Sequence, residues 1–385
     1  MKLIKIMFVL IISFNILLSK SYAACGDSYN LSHHYITGKL DICSIEDELP
    51  NSIEILTNWG TKPEWIDSNT FVFVGNQIGE VYRMDIDSNT VEAITSHYRH
   101  SGYTRVHVLK NGDLLLLGPD NSTAINDDPL VIYDKGQFEA NMSILQVPYD
   151  SLPIPLNTHA WEGIAVSTET NRIVWSDVNK PFFGNNIFET FINYTFGRSN
   201  LWTGIISYDG QNTPSLVNTR KIAYKYGGTL FEPQNFKGHN DEELLFTAYG
   251  ATSEGLADTF IYSFETHRFK KILKKEASGY NEWEGIHPSY EKGFYERESN
   301  VNIFTGPVLV DLYMYDFKMK KSNLFAKFNR EDGFGLHEPV FSPDGKWVLT
   351  TTLAKDGMEF KSPGYGLGII RVNYEEWERN KIPLM

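Results

Sequence analysis

The chain has 385 residues and a formal net charge of −13, with no basic stripe, so a phosphate-backbone partner would meet general repulsion and nucleic-acid binding is excluded. Aromatic residues make up 14% of the chain, including 21 Tyr and 24 Phe, which suits strand-rich packing and sugar-contacting surfaces alike. After residue 23 no segment approaches the roughly 20 apolar residues of a spanning helix, so no transmembrane segment is expected in the mature protein.

At the N-terminus Lys2 and Lys5 precede an apolar run from Ile6 to Leu18, and Ser21-Tyr-Ala23 supplies small residues for a cut. Residues 1–23 therefore read as a secretory signal peptide, and the mature chain is expected to be secreted or periplasmic. The run is too short for an anchor and is broken by Ser13 and Asn15. Within residues 24–50 stand the only two cysteines, Cys25 and Cys43, and an oxidising compartment favours a disulfide between them. A lipid-modified Cys25 is the competing reading, but Tyr22-Ala-Ala24 lacks the Leu-like residue that such a signal carries. Asn30, Asn121, Asn141 and Asn193 fit the Asn-x-Ser/Thr acceptor pattern.

Residues 51–385 read as one domain built from a repeat. Its clearest copy runs Pro63-Glu-Trp-Ile66, Phe71-Val-Phe-Val74, Glu80-Val-Tyr-Arg-Met-Asp-Ile86 and Thr90-Val-Glu-Ala-Ile-Thr95. Period-2 alternation and the Asp87-Ser-Asn89 turn predict four antiparallel strands. Further copies begin near Tyr103, Trp161, Phe231, Trp283 and His337, with second strands at Asp113–Leu117, Arg172–Trp175, Glu243–Thr247, Lys292–Tyr295 and Lys346–Thr350. Such units cannot bury both faces alone, so the expected fold is all-β, a six-bladed β-propeller of four-stranded antiparallel blades. The last unit lacks a fourth strand, and Ser52–Thr57 is expected to pair with Gly366–Val372, closing the last blade with an N-terminal strand. A β-sandwich is the alternative fold.

The phrase Phe341-Ser-Pro-Asp-Gly-Lys-Trp347 resembles the repeat of TolB-type six-bladed propellers, over nearly the whole mature chain. Trp161-Glu-Gly-Ile-Ala-Val-Ser167, Gln234-Asn-Phe236 with Glu243–Tyr249, and Glu284-Gly-Ile286 are similar to phrases of secreted bacterial and fungal propeller proteins, some of saponin-cleaving type. The first resemblance implies a periplasmic interaction module; the second implies the propeller fold more than one activity, some proteins of broadly similar type being hydrolases.

In a propeller the first strand of each blade is innermost. Aligning the six entries puts Glu64, Arg105, Glu162, Glu232, Glu284 and Glu338 at equivalent places around one channel mouth. Five carboxylates at close range cannot all stay ionised unless a cation joins them, so raised pKa values or a divalent cation at the acidic mouth are expected. His159 and His337 shortly precede entry acids, and Asn235 and Tyr249 are candidates for polar contacts. The connections between second and third strands are long on this side, and that at residues 181–196 is rich in aromatics. Zinc-ligand spacing, a Gly-rich phosphate loop and a nucleophile elbow are missing from the sequence.

Paired carboxylates suffice for glycoside cleavage, so the residues point to hydrolysis of a carbohydrate-like or polar small substrate, with Glu162 and Glu284 as the acid/base pair. A lyase using a metal with a His or Tyr fits the same frame. The alternative is a non-catalytic secreted or periplasmic interaction module whose acidic mouth receives a basic peptide or protein.

Overall fold

The computed structural model describes residues 52–57, 59–76, 78–119, 140–161, 163–178, 198–226, 229–249, 257–273, 280–298, 310–327, 334–354, 368–381 and 383–384. The signal segment, Cys25 and Cys43, Glu162, the aromatic stretch 181–196 and most of the second-to-third-strand connections lie outside the described residues.

Among the described residues the fold consists of one short helix and five sheets, antiparallel apart from one strand pair. β1 (Ile53–Thr57) belongs to the last of them. The first contains β2 (Thr61–Trp65), β3 (Thr70–Val74), β4 (Val81–Asp85) and β5 (Thr90–Ala93) in that order. The second contains β6 (Arg105–Val108), β7 (Leu114–Gly118), β8 (Ala140–Leu145) and β9 (Ile154–Ala160), and the third β10 (Ile164–Val166), β11 (Arg172–Val178), β12 (Arg198–Tyr208) and β13 (Pro214–Tyr226). An eight-stranded sheet follows. It consists of β14 (Leu230–Lys237), β15 (Glu243–Tyr249), β16 (Ala257–Ser263) and β17 (Phe269–Lys271), then β18 (Tyr280–Ile286), β19 (Lys292–Glu298), β20 (Asp311–Asp316) and β21 (Lys321–Ala326). The two halves are joined by a single parallel pair, Ala257 with Tyr280. β22 (Phe334–Phe341), β23 (Trp347–Ala354) and β24 (Gly368–Asn373) complete the last sheet with β1.

The second strands explain why these sheets pack as blades of a propeller. In β7 the run Leu114-Leu-Leu-Leu117 is buried on both faces. Leu114 and Leu116 pack with Val72 and Val74 of β3, while Leu115 and Leu117 pack with Ile173 and Trp175 of β11. β3 divides its residues likewise, giving Phe71 and Phe73 to a cluster with Leu349 and Ile369 of the last sheet. A strand with period 2 placed between two neighbours must be apolar at every position. The last sheet therefore packs on the first, and the ring closes; two facing sheets of a sandwich would not place a strand between two others in this way.

Closure is also a matter of hydrogen bonding. β1 pairs antiparallel with β24, Ile53 opposite Val372 and Ile55 opposite Ile370, as the missing fourth strand led one to expect. The helix α1 (Tyr374–Asn380) starts from Asn373, whose side chain accepts from the Glu376 N–H. It buries Tyr374 and Trp377, and beyond it Leu384 joins β21 by a parallel bridge to Ala326.

The inner strands are irregular where they face the channel. Register breaks occur between Thr61 and Glu64, Pro233 and Asn235, Trp283 and Gly285, and His337 and Val340. Lys62 and Glu338 both have left-handed φ, 55° and 52°, and both precede a proline. These bulges make Lys62-Pro63 the counterpart of Glu338-Pro339. The even spacing expected from sequence, with Glu64 matched to Glu338, is thus corrected: the extra residues of a bulge shift an inner strand's side chains relative to its neighbours.

Candidate functional site

The inner strands bring one acidic group and one smaller basic group into the channel. From β2 come Lys62, in the bulge, and Glu64, just after it, and from β6 Arg105 and His107, two residues apart and so on one face of an unbroken strand. Arg105 Nη2 lies 3.3 Å from Glu232 Oε1 and its Nη1 lies 4.0 Å from Glu338 Oε1. One guanidinium therefore links the carboxylates of β14 and β22.

Glu338 is held most fully. Its Oε2 accepts from Thr61 Oγ1 at 3.0 Å, from the Lys62 N–H at 3.2 Å and from Thr351 Oγ1 at 3.2 Å. Burial works to raise its pKa, but Lys62, Arg105, the Thr61 hydrogen bond and His337 together hold the carboxyl below its ordinary range. Its own N–H donates to Glu296 Oε1 at 3.2 Å, and His337 Nδ1 lies 2.9 Å from the same oxygen. His337 Nε2 is buried without a hydrogen-bond partner among the described residues.

The densest carboxylate group lies on β14, β18 and β19. Glu232 is 1% exposed, Glu282 7% and Glu296 3%. Glu282 stands directly opposite Glu296 in the β18–β19 register, and Glu284 follows two residues on. Tyr249, at the end of β15, contacts Glu232 Oε2 at 2.5 Å and also reaches Glu282 Oε1. Burial first, then repulsion from Glu232, Glu284 and Glu296, raises Glu282 well above the ordinary carboxylate range. Burial and the charges of Glu296, Glu232 and Glu338 raise Glu284 well above it too, against a small opposing pull from Arg105. Across the channel burial lifts Glu64 to about 8, with Arg105 opposing, and lowers His107 to about 3, with Arg105 and Lys62 acting in the same direction as burial.

Glu282, Glu284 and Glu296 each offer a carboxylate oxygen within 4.8 Å of the others, a spacing at which a shared positive charge relieves repulsion. Tyr249 Oη is shared between carboxyl oxygens of Glu232 and Glu282, and its single hydrogen can be given fully to only one of them.

The structure thus brings Glu64, Arg105, Glu232, Glu284, Glu338, His337 and Tyr249 to the channel; Glu162 lies outside the described residues. His159 is a correction. It is exposed on β9, the outermost strand of its sheet, and the chain must still cross to the inner strand before it reaches the channel. Asn235 is corrected as well: its Oδ1 accepts the Trp283 indole N–H at 2.8 Å, which fixes packing between two inner strands. Lys62, His107, Glu282 and Glu296 were not expected. Glu282 stands two residues before the expected Glu284 on the same inner strand, but the register break at Glu284 interrupts the alternation that would have paired them from sequence. Lys62 and Glu296 could be placed only once the bulges and the cross-strand register were known.

No family model and no curated protein matches this sequence. Among solved structures the chain is similar to TolB of Acinetobacter baumannii, at 11% identity over 80% of this chain and 64% of that one, with a TM-score of 0.48. It thus spans less than two thirds of that protein. An oligogalacturonate lyase of Vibrio parahaemolyticus is similar at 11% identity over 83% and 93%, TM-score 0.47. A gluconolactonase of Xanthomonas campestris is similar at 8% over 83% and 89%, TM-score 0.46. TolB stands among these structures, as the Ser-Pro-Asp-Gly phrase led one to expect.

Proposed function

We propose that this chain is an extracytoplasmic six-bladed propeller that binds a carbohydrate-like or other polar small substrate in its channel and hydrolyses it, with Glu284 as proton donor. The blade count takes the two halves of the eight-stranded sheet as separate blades, since a single residue pair joins them. The extracytoplasmic placement comes from the signal-like segment 1–23, and no helix among the described residues is long and apolar enough to cross a membrane. The observation that carries the reading is a contrast in surroundings: Glu338 accepts from Thr61, Lys62 and Thr351 and lies 4.0 Å from Arg105, whereas Glu284 stands among the carboxyls of Glu282 and Glu296. Burial and its carboxyl neighbours raise Glu284, while against burial Lys62 and Arg105 lower Glu338. Hydrolysis of a glycosidic type of bond needs one carboxyl to protonate the leaving oxygen and one carboxylate to take a proton from water or to attack. Glu284 meets the first requirement and Glu338 supplies ionised charge beside it; Glu162, expected as the partner, would add a second carboxylate.

Purified mature protein incubated with a panel of aryl glycosides, uronides and oligosaccharides tests the proposal. Turnover that Glu284→Gln lowers at least a hundredfold supports it. Turnover unchanged in that variant removes Glu284 from the role.

A second reading rests on the pairing of channel charges with one another. Arg105 with Glu232 and Glu338, and His337 with Glu296, form a network that could simply hold the blades together around a site for a basic peptide. No turnover of any panel member, together with salt-sensitive binding of an oligolysine peptide, would favour this non-catalytic module.

A further inference from the structure

We propose that Glu282, Tyr249 and Glu232 form one proton-sharing unit with the retained proton on Glu282, and that Tyr249 is a positioning residue keeping this proton in reserve for Glu284. The reserve role rests on the reading of Glu284 as proton donor; the proton-sharing unit does not.

Two separate features place the proton. The first is the count of hydrogens at Tyr249. Its hydroxyl contacts Glu232 Oε2 at 2.5 Å and Glu282 Oε1 as well, yet ionised carboxylates only accept. A carboxyl that keeps its own proton supplies the second hydrogen by donating to the phenol oxygen. Arg105, 3.3 Å from Glu232 Oε1, stabilises the charged form of Glu232, so the donor is Glu282. The second feature is the register of β18 and β19. Glu282 faces Glu296 directly, and like charges so placed repel. Glu296 accepts from the Glu338 N–H and lies 2.9 Å from His337 Nδ1, which favours its ionised form. The neutral member of that pair is again Glu282.

The groups facing Glu282 are Tyr249 from β15, Glu232 from β14, Glu284 from its own strand and Glu296 from β19. Among the described residues that shift it, three are carboxyls. Burial and these neighbours raise Glu282, in agreement with the hydrogen count.

The reserve step is balanced as follows. Once Glu284 has given its proton to a leaving group, the Glu282 O–H proton passes to the Glu284 carboxylate through one bridging water that accepts it and releases another. One oxygen of each carboxyl lies within 4.8 Å of the other. Glu282 is left as the carboxylate, and Tyr249 turns its hydrogen from Glu232 to Glu282. One proton moves, and the summed charge of the two carboxyls is unchanged.

Infrared spectroscopy of protein labelled with 13C-glutamate tests the unit without any substrate. At pH 7 the folded chain should show carbonyl absorption from protonated glutamic acid. Glu282→Gln should remove one component, and Tyr249→Phe should shift that component because the acid loses its phenol acceptor. The two variants report independently, so one that fails to fold leaves the other decisive. A wild-type spectrum without acid absorption overturns the proposal, as does an unshifted band in Tyr249→Phe. Addition of Ca2+, Mg2+ or Mn2+ that discharges the band at pH 7 also overturns it, because a cation would then be the counter-charge. If a substrate is found, Tyr249→Phe should bring the alkaline fall of turnover to lower pH; an unmoved profile ends the reserve role alone. Absence of any turnover sinks the hydrolytic reading while the spectra still decide the proton-sharing unit.

Discussion

Lys62 and Glu338 occupy matching bulges on neighbouring inner strands, both with left-handed φ and both before proline, and the Lys62 N–H donates to Glu338 Oε2 at 3.2 Å. A non-glycine residue in that region of conformational space costs of order 1 kcal/mol or more and persists where its surroundings demand it. Here the demand is the joint between the last sheet and the first, where Thr61, Lys62 and Thr351 converge on one carboxylate oxygen. Glu338→Gln should therefore destabilise the fold by about 1–3 kcal/mol, since it withdraws a charged acceptor from buried donors. Glu284→Gln should cost little or stabilise at neutral pH, because an amide resembles the protonated acid. Urea unfolding of both variants at pH 7 checks the contrast, and equal losses would remove it.

Stability should also peak on the acid side. Glu64, raised to about 8, and Glu282 and Glu284, also raised by burial, bind protons in the folded chain where the unfolded chain has lost them above 4.5. Each therefore makes stability fall as pH rises from 4.5 through its folded pKa. Glu338, lowered, acts oppositely: its contribution is present above 4.5 and is lost as pH falls through its folded pKa. His107, lowered to about 3 from 6.5, favours stability that grows as pH rises across that interval. Between 4.5 and 6.5 three carboxyls outweigh one imidazole. The melting temperature followed by circular dichroism should be highest near pH 4.5–5 and decline towards pH 8, and Glu64→Gln should flatten the decline by at most one proton, about 1.4 kcal/mol per pH unit. A melting temperature that climbs from pH 5 to pH 8 would contradict these assignments.

The closing strand carries a third expectation. Ile53 packs with Val372, Ile370, Trp377 and Leu384, so Ile53→Ala should cost about 2–4 kcal/mol, as other large-to-small changes in a core do. The ion pair between Glu54 and Arg371 on the same strands is half exposed at its glutamate, and Glu54→Ala should change little. Thermal melts of the two variants separate core closure from surface charge. A larger loss in Glu54→Ala than in Ile53→Ala would mean that the strand is held by its rim.

The sheets were legible in the sequence because doubly buried second strands must be apolar at every position, as Leu114–Leu117 are, and such runs announce themselves. The missing fourth strand likewise pointed to Ser52–Thr57. The channel was legible only in outline. An entry acid read by spacing is displaced when the strand bulges, which is why Glu64 and Glu338 are not equivalent and why Lys62 was overlooked. Glu296 lies on a second strand and enters the cluster through its register with Glu282, a relation that no spacing along one strand reveals. The repeated phrase Trp-Glu-Gly-Ile had been read for its acid, but its glycine has a separate purpose. At Gly163 a methyl group would meet the side chain of Glu232 at 2.3 Å and the Pro233 carbonyl at 3.0 Å; at Gly285 it would meet the Pro339 carbonyl at 2.3 Å. Each glycine lets the next inner strand approach.

That shared role predicts different consequences for the two glycines. Gly285→Ala drives a methyl against backbone, which cannot turn aside, so the strands bearing Gly285 and Pro339 must separate; the cost should be about 1–3 kcal/mol, as in other overpacked sites. Gly163→Ala meets Glu232 Cγ first, with the Pro233 carbonyl 3.0 Å away, so room is made by displacing Glu232. Doing so would take Glu232 from both Arg105 and Tyr249. Gly163→Ala should therefore change the glutamic-acid infrared band more than Gly285→Ala does, since Tyr249 would lose its contact with Glu232. Melting temperatures and spectra of the two variants at pH 7 decide the matter: equal melting losses with unchanged spectra would show that Gly163 serves packing only.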